Sequence, residues 1–201
     1  MARATAAILL ALGLASCVST AVRDGGCGRP ISEHDYFGVQ SVDMEFYAAA
    51  FAKMGEPSLY CDAKGAKSWR LTYHPYNKPT VTIRATSDGD ARTIRVIKFR
   101  VINHDDGEHW TGRVVRDTER RLTASEWEEL EAASVAVDFW HKPTEYSLDL
   151  CDEDGNRCRI IALPSDVIEG RDKTYHLVVV WPTGNLVELN DTLRRLARLD
   201  D

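Results

Sequence analysis

The chain of 201 residues lacks the short patterns that mark the commonest catalytic machinery. No serine stands in a Gly-x-Ser-x-Gly elbow, no glycine-rich loop is placed to cradle phosphates, and the helical His-Glu-x-x-His pattern of zinc proteases is absent. Serine-elbow hydrolysis, nucleotide chemistry and that type of proteolysis therefore have no support. Positive charge is also in short supply. The formal net charge is −6, whereas a nucleic-acid surface needs a clustered positive field, so no nucleic-acid partner is expected. Arg113, Arg116, Arg120 and Arg121 do cluster, but Asp117 and Glu119 interrupt them, which reads as the solvated face of a strand. There is no internal repeat, no low-complexity segment and no composition break that would ask for two domains.

Long apolar runs are missing too, and the one short run is informative. Arg3 supplies a thin basic end, and Ala6 to Ala15 is an apolar stretch of signal-peptide length, too short to span a bilayer as a mature helix. Leu14, Ala15, Ser16 and Cys17 follow. They resemble the bacterial lipobox, in which cleavage exposes a cysteine that receives lipid on its sulfur and its new amino terminus. That resemblance implies a signal peptide over residues 1–16 and a mature start at the lipidated Cys17, with Val18 next. The second residue is not the aspartate associated with inner-membrane retention, so a Gram-negative envelope would place the protein at the outer membrane, facing the periplasm. The rival cut follows Ser19, Thr20 and Ala21 and would release a soluble periplasmic or secreted protein. Both cuts send the domain out of the cytoplasm.

Setting Cys17 aside leaves Cys27, Cys61, Cys151 and Cys158, an even number in a compartment where disulfides persist. A hairpin turning on Asp154 and Gly155 places Cys151 opposite Cys158 and Asp152 opposite Arg157. Cys27 and Cys61 then pair by elimination, tying down the end of a glycine-rich tether over residues 17–34.

Residues 35–201 read as one α+β domain with a largely antiparallel sheet of about six to eight strands and three helices. The centre of that domain is Arg121 to Pro143. Thr123 and Glu126 form a capping box that starts a helix at Ala124, and Leu122 and Trp127 are spaced as a hydrophobic staple. Trp127, Leu130, Ser134 and Val137 form its apolar stripe, and Pro143 stops it near Asp138, leaving Phe139 and Trp140 as plugs. A first helix is expected over Asp43 to Met54, closing at Gly55, and a last one over Gly184 to Leu199 with Leu186, Leu189, Leu193 and Leu196 inward.

Strands fill the spaces between. Trp69, Leu71 and Tyr73 alternate with Arg70, Thr72 and His74, which predicts a strand with one wet face. Thr80 to Thr86 and Thr93 to Asn103 follow; in the second, the apolar phase slips near Ile97, as a bulge or burial on both faces would produce. Trp110 to Arg120 returns as a strand. A parallel pair across the central helix is the alternative topology. Val167 to Gly170 and Tyr175 to Trp181 form the last hairpin, and the unbroken apolar run from Leu177 predicts an internal strand.

The densest set of chemical groups is His104, Asp105, Asp106, Gly107, Glu108 and His109, which as metal ligands would make a metal-dependent hydrolase. The better account is a hydrophilic hairpin tip, because a tight turn points successive side chains into water. Asp152, Glu153, Asp154, Gly155 and Asn156 fail as a calcium loop, since the glycine comes too early and Leu163 stands where a closing glutamate is needed. His176 reads as a structural histidine facing Glu169 across the last hairpin. No catalytic residue, metal ligand or cofactor is assigned.

Leu122-Thr123, Glu126-Trp127, Leu130-Glu131, Phe139-Trp140 and Pro143, followed by Glu169-Gly170, Tyr175-His176 and Trp181-Pro182, resemble a module of uncharacterised bacterial secreted proteins and lipoproteins. The resemblance covers roughly the last 80 residues, a single-domain fraction. The chain departs from the pattern at Asp166, where a tryptophan is expected, at Val180, where a charged residue is usual, and in its Cys151 to Cys158 hairpin. The resemblance implies no activity. The expectation is an exported envelope lipoprotein, not an enzyme, that acts as a binding or assembly module on an envelope protein partner. A sharper version is an immunity-type protein that blocks a toxin in the same compartment. An exposed aromatic patch around Tyr73, Tyr76 or Trp110 would mark the contact surface.

Overall fold

The computed structural model describes residues 48, 50–61, 66–75, 78–103, 110–143, 166–180 and 186–199. Six strands form its frame: β1 (Lys67–Tyr73), β2 (Thr80–Asp88), β3 (Ala91–Asn103), β4 (Trp110–Arg121), β5 (Asp166–Arg171) and β6 (Tyr175–Val180). They lie in the order β4-β3-β2-β1-β5-β6, with every neighbouring pair antiparallel. The architecture is α+β, as the hairpin-rich sequence predicts. The parallel alternative would pair β4 with the segment that follows Pro143, which lies outside the described residues; among the described strands, three separate β4 from β5, so the chain leaves β4, crosses a face of the sheet and re-enters beside β1.

That crossing is made by the central helix, Ala124–Ala136. Its start is built locally. The Glu126 amide donates to the Thr123 hydroxyl at 3.2 Å, and the Thr123 amide donates to the Glu126 carboxylate at 2.8 Å, satisfying two amides that the helix itself leaves free. Leu122 and Trp127 are both buried beside this entry. Trp127, Leu130, Ala133, Ser134 and Val137 face inward, and the Trp127 ring meets the Trp69 ring of β1 edge-on at 5.1 Å. The helix ends where Asp138 takes a left-handed conformation (φ 51°), which turns the chain into a short 3-10 turn, Phe139–His141. The closing helix, Val187–Leu196, is shorter than the expected span but buries the same leucines, Leu189, Leu193 and Leu196, with Leu186 at its cap. Both helices lie on one face of the sheet, over Trp69, Leu71, Tyr73, Ile83, Ala85, Ile94 and Val96.

The opposite face is where expectation and structure part. Arg70 and Thr72 were expected to face water, yet both are fully buried. A second layer covers them: residues 50–54 are helical, and Ala48, Ala50, Phe51 and Met54 pack with Ile97, Phe99, Val167 and Leu177 into a second core. Polar groups beneath this layer are paired. The Thr72 and Thr82 hydroxyls lie 3.3 Å apart, and Arg70 meets Glu169 of β5 through two hydrogen bonds of 2.6 and 2.7 Å. Strand alternation reports two chemically different faces; it does not report whether the polar one is dry.

Two further expectations are refined. Burial on both faces accounts for the apolar phase of β3, since Ile94 and Val96 face the helices while Ile97 and Phe99 face the second core. The pairing with β4 also shifts between Lys98 and Phe99, leaving Val115 of β4 as the extra residue of a bulge. β6, expected to be internal, pairs on one side alone among the described residues; its apolar run reflects coverage of both faces at the end of the sheet. The hairpin carrying Cys151 and Cys158 lies outside the described residues.

Candidate functional site

The residues singled out from sequence fall mostly outside the described set: Cys17, Cys27, Cys151 and Cys158, the whole His104 to His109 turn, and Tyr76. Cys61 is described. It is buried, its amide donates to the Ser58 hydroxyl at 3.2 Å, and its sulfur is engaged in a disulfide with a cysteine outside the described residues. Tyr73, expected in an exposed aromatic patch, is instead buried, with the Arg194 guanidinium stacked 3.7 Å from its ring centre. No group of three metal-ligating side chains converges among the described residues, and no described helix is long and apolar enough to cross a membrane.

The concave feature with chemistry lies where the 3-10 turn meets the last hairpin. Trp140, Asp172, Lys173, Thr174, Tyr175 and His176 line a shallow cleft of about 290 Å³. Its floor depends on a missing side chain. Gly170 faces His176 across the hairpin, and a Cβ at position 170 would collide with the Phe139 ring and come within 3.0 Å of Trp140. With hydrogen there, Phe139 packs fully buried against both neighbours, 5.1 Å from the His176 ring and 5.1 Å from the Trp140 ring, edge to face in each case.

His176 does not face Glu169, as the sequence reading expects. Glu169 stands opposite Leu177, so the two side chains leave opposite faces of the sheet. Desolvation holds the His176 imidazole below the ordinary histidine range, against the carbonyls of Lys142 and Phe139, which favour its proton, while nearby His141 lowers it further. Its Nε2 is buried without a well-aligned hydrogen bond. The side chain is therefore a neutral ring against two aromatic rings, with Lys173 and Asp172 at the rim. The Tyr175 hydroxyl is committed elsewhere, donating to Glu169 at 3.0 Å. Such a cleft offers stacking surface and charge of both signs. It suits holding a partner's side chain or headgroup.

Behind the cleft runs a chain of charges. Arg70, Arg84 and Arg95 are direct cross-strand neighbours on β1, β2 and β3. Like charges so placed repel, and three carboxylates offset them. Glu169 takes Arg70, Asp117 takes Arg95 at 2.7 and 2.9 Å, and Glu56 lies 3.1 Å from Arg95, 3.2 Å from Arg84 and 3.8 Å from Arg70. The Arg70 guanidinium also stacks 4.1 Å from the Phe51 ring centre and donates to the Pro57 carbonyl at 2.6 Å. This network anchors the second layer to the sheet.

The surface charges make the fold acid-sensitive. Arg120 and the Thr123 amide hold the Glu126 carboxyl at about 2, and hydrogen bonding to Arg95 lowers Asp117. A depressed carboxylate contributes stability above its unfolded value and loses it as pH falls through the folded one. Asp166 has the opposite sign, since burial raises it. The stability advantage of the wild type over Glu126→Gln is therefore expected to shrink as pH is lowered from 4.5 towards 2. Denaturant midpoints at stepped pH check this, and a constant difference would refute the assigned pairing.

Trp140 and His176 were each legible in the sequence, one as a plug and one as a structural histidine. Their convergence was not. Both belong to the motif pattern Phe139-Trp140 and Tyr175-His176, and that shared membership was the available signal. No family model, no curated protein and no solved structure matches the chain.

Proposed function

We propose that this chain is an exported envelope lipoprotein, anchored through Cys17, whose folded domain binds another macromolecule and does not perform catalysis. The observation that carries the reading is the disulfide at Cys61. Cytosolic thiols are kept reduced, so a buried structural disulfide in a mesophilic protein goes with an oxidising compartment. The apolar stretch ending at Leu14-Ala15-Ser16-Cys17 is the matching address in the sequence. Binding is supported by the cleft, whose stacking surface and mixed rim charges are recognition chemistry, and whose one phenol is already taken by Glu169.

The test is metabolic labelling with a fatty acid in the native host. Incorporation is expected in the wild type and abolished in Cys17→Ala; continued labelling of the variant would overturn the anchor. Alkylation of the purified native protein without reductant adds a second arm. Cys61 is expected to resist modification, and a freely alkylated Cys61 in unfolded but unreduced protein would remove the case for export.

A further inference from the structure

Strand register places four cations in a square on the sheet face that carries the helices, at the corner beyond their cover. Lys98 of β3 stands opposite Arg116 of β4, and Arg100 stands opposite Arg113. Residues two apart in a strand share a face, as do direct cross-strand partners, so all four point the same way. Arg100, Arg113 and Arg116 are exposed and Lys98 is half-buried. None of the four has an ion-pair partner among the described residues. Two like-charge pairs directly opposite one another oppose strand pairing. In a chain of net charge −6, nothing about solubility calls for this cluster. Val114 stands opposite Phe99 and so lies on the other face of the sheet, away from the four cations.

We propose that this corner of the β3–β4 sheet is a docking surface for a bilayer bearing anionic phospholipids, whose headgroup phosphates meet the four cations. Clustered Lys and Arg side chains are drawn to an anionic lipid surface, each by about 1 kcal/mol. The same cluster is poor for single-stranded nucleic acid, since none of its residues is an aromatic on which bases stack. The inference rests on the export reading for the presence of a bilayer nearby. There an anchor on the same chain would raise the effective concentration of the bilayer at the domain, so weak attraction suffices.

The test uses the full chain with vesicles of phosphatidylcholine, alone or mixed with phosphatidylglycerol, followed by flotation. Each cation near an anionic surface strengthens binding by about fivefold. The full chain is expected to prefer the anionic vesicles by at least about tenfold, and the preference is expected to fall as salt is raised. The variant K98Q/R100Q/R113Q/R116Q is expected to lose it. The same preference in Cys17→Ala separates this surface from the lipid anchor, because the patch acts whether or not the cysteine is acylated. Equal binding to both vesicles, a preference retained by the four-glutamine variant, or tighter binding to single-stranded DNA than to the anionic vesicles would each overturn the proposal. Thermal melting checks that the variant folds, and relief of two like-charge pairs predicts a midpoint at or above that of the wild type. R113Q/R116Q, which removes the two edge-strand cations alone, is expected to lose part of the preference and serves if the fourfold variant does not fold.

Discussion

Replacing Glu169 with leucine is expected to lower stability by about 3–5 kcal/mol, the cost of stranding a buried charge. Arg70 would keep its place, because its guanidinium is pinned by the Pro57 carbonyl and the Phe51 ring, but it would lose both short hydrogen bonds to its carboxylate. Glu56, 3.8 Å away, is shared with Arg84 and Arg95 and replaces little of the loss. At about 2–4 °C per kcal/mol for a domain of this size, the fall in Tm is roughly 10 °C. The double change Arg70→Met and Glu169→Leu is expected to cost less than either single change, since an apolar pair of similar volume removes the unpaired charge along with the bond. Thermal or denaturant unfolding of the four proteins decides it. A double variant that is less stable than both singles would mean that the pair stabilises the fold on its own account.

The second large effect lies under the cleft. Phe139→Ala is expected to cost about 3–5 kcal/mol, because the ring is fully buried between Trp140, His176 and the bare Gly170. Gly170→Ala in the wild type is expected to cost about 1–3 kcal/mol by overpacking, since the new methyl group meets that same ring. The two should not add. With Phe139 removed, the methyl group at position 170 has space to enter, so Gly170→Ala in that background is expected to be nearly neutral or stabilising. Additive losses would place the strain at Gly170 somewhere other than the Phe139 ring.

Much of the fold was legible because its signals are local. The capping box at Thr123 and Glu126 acts across three residues, and the leucine stripe of the closing helix repeats at helical spacing, so both could be read without a partner in view. Gly55, at φ 66°, ends the first helical stretch as its position predicts. The site was less legible for the complementary reason. Trp140 and His176 are brought together by the turn at Asp138 and the register of the last hairpin, and neither spacing nor composition measures that distance. The cationic square was hidden in the same way. Arg113 and Arg116 were visible as a broken cluster, but their doubling by Lys98 and Arg100 appears once the β3–β4 register is known.

By itself, the order of residues determined where the central helix begins, which leucines the closing helix buries, which segments alternate as strands, and the α+β class, because capping, turn chemistry and periodicity act within a few residues of each other. Tertiary structure alone decided that the polar face of β1 is dry. Arg70 and Glu169 are 99 residues apart, and burying such a charge is tolerable once the fold has delivered its partner.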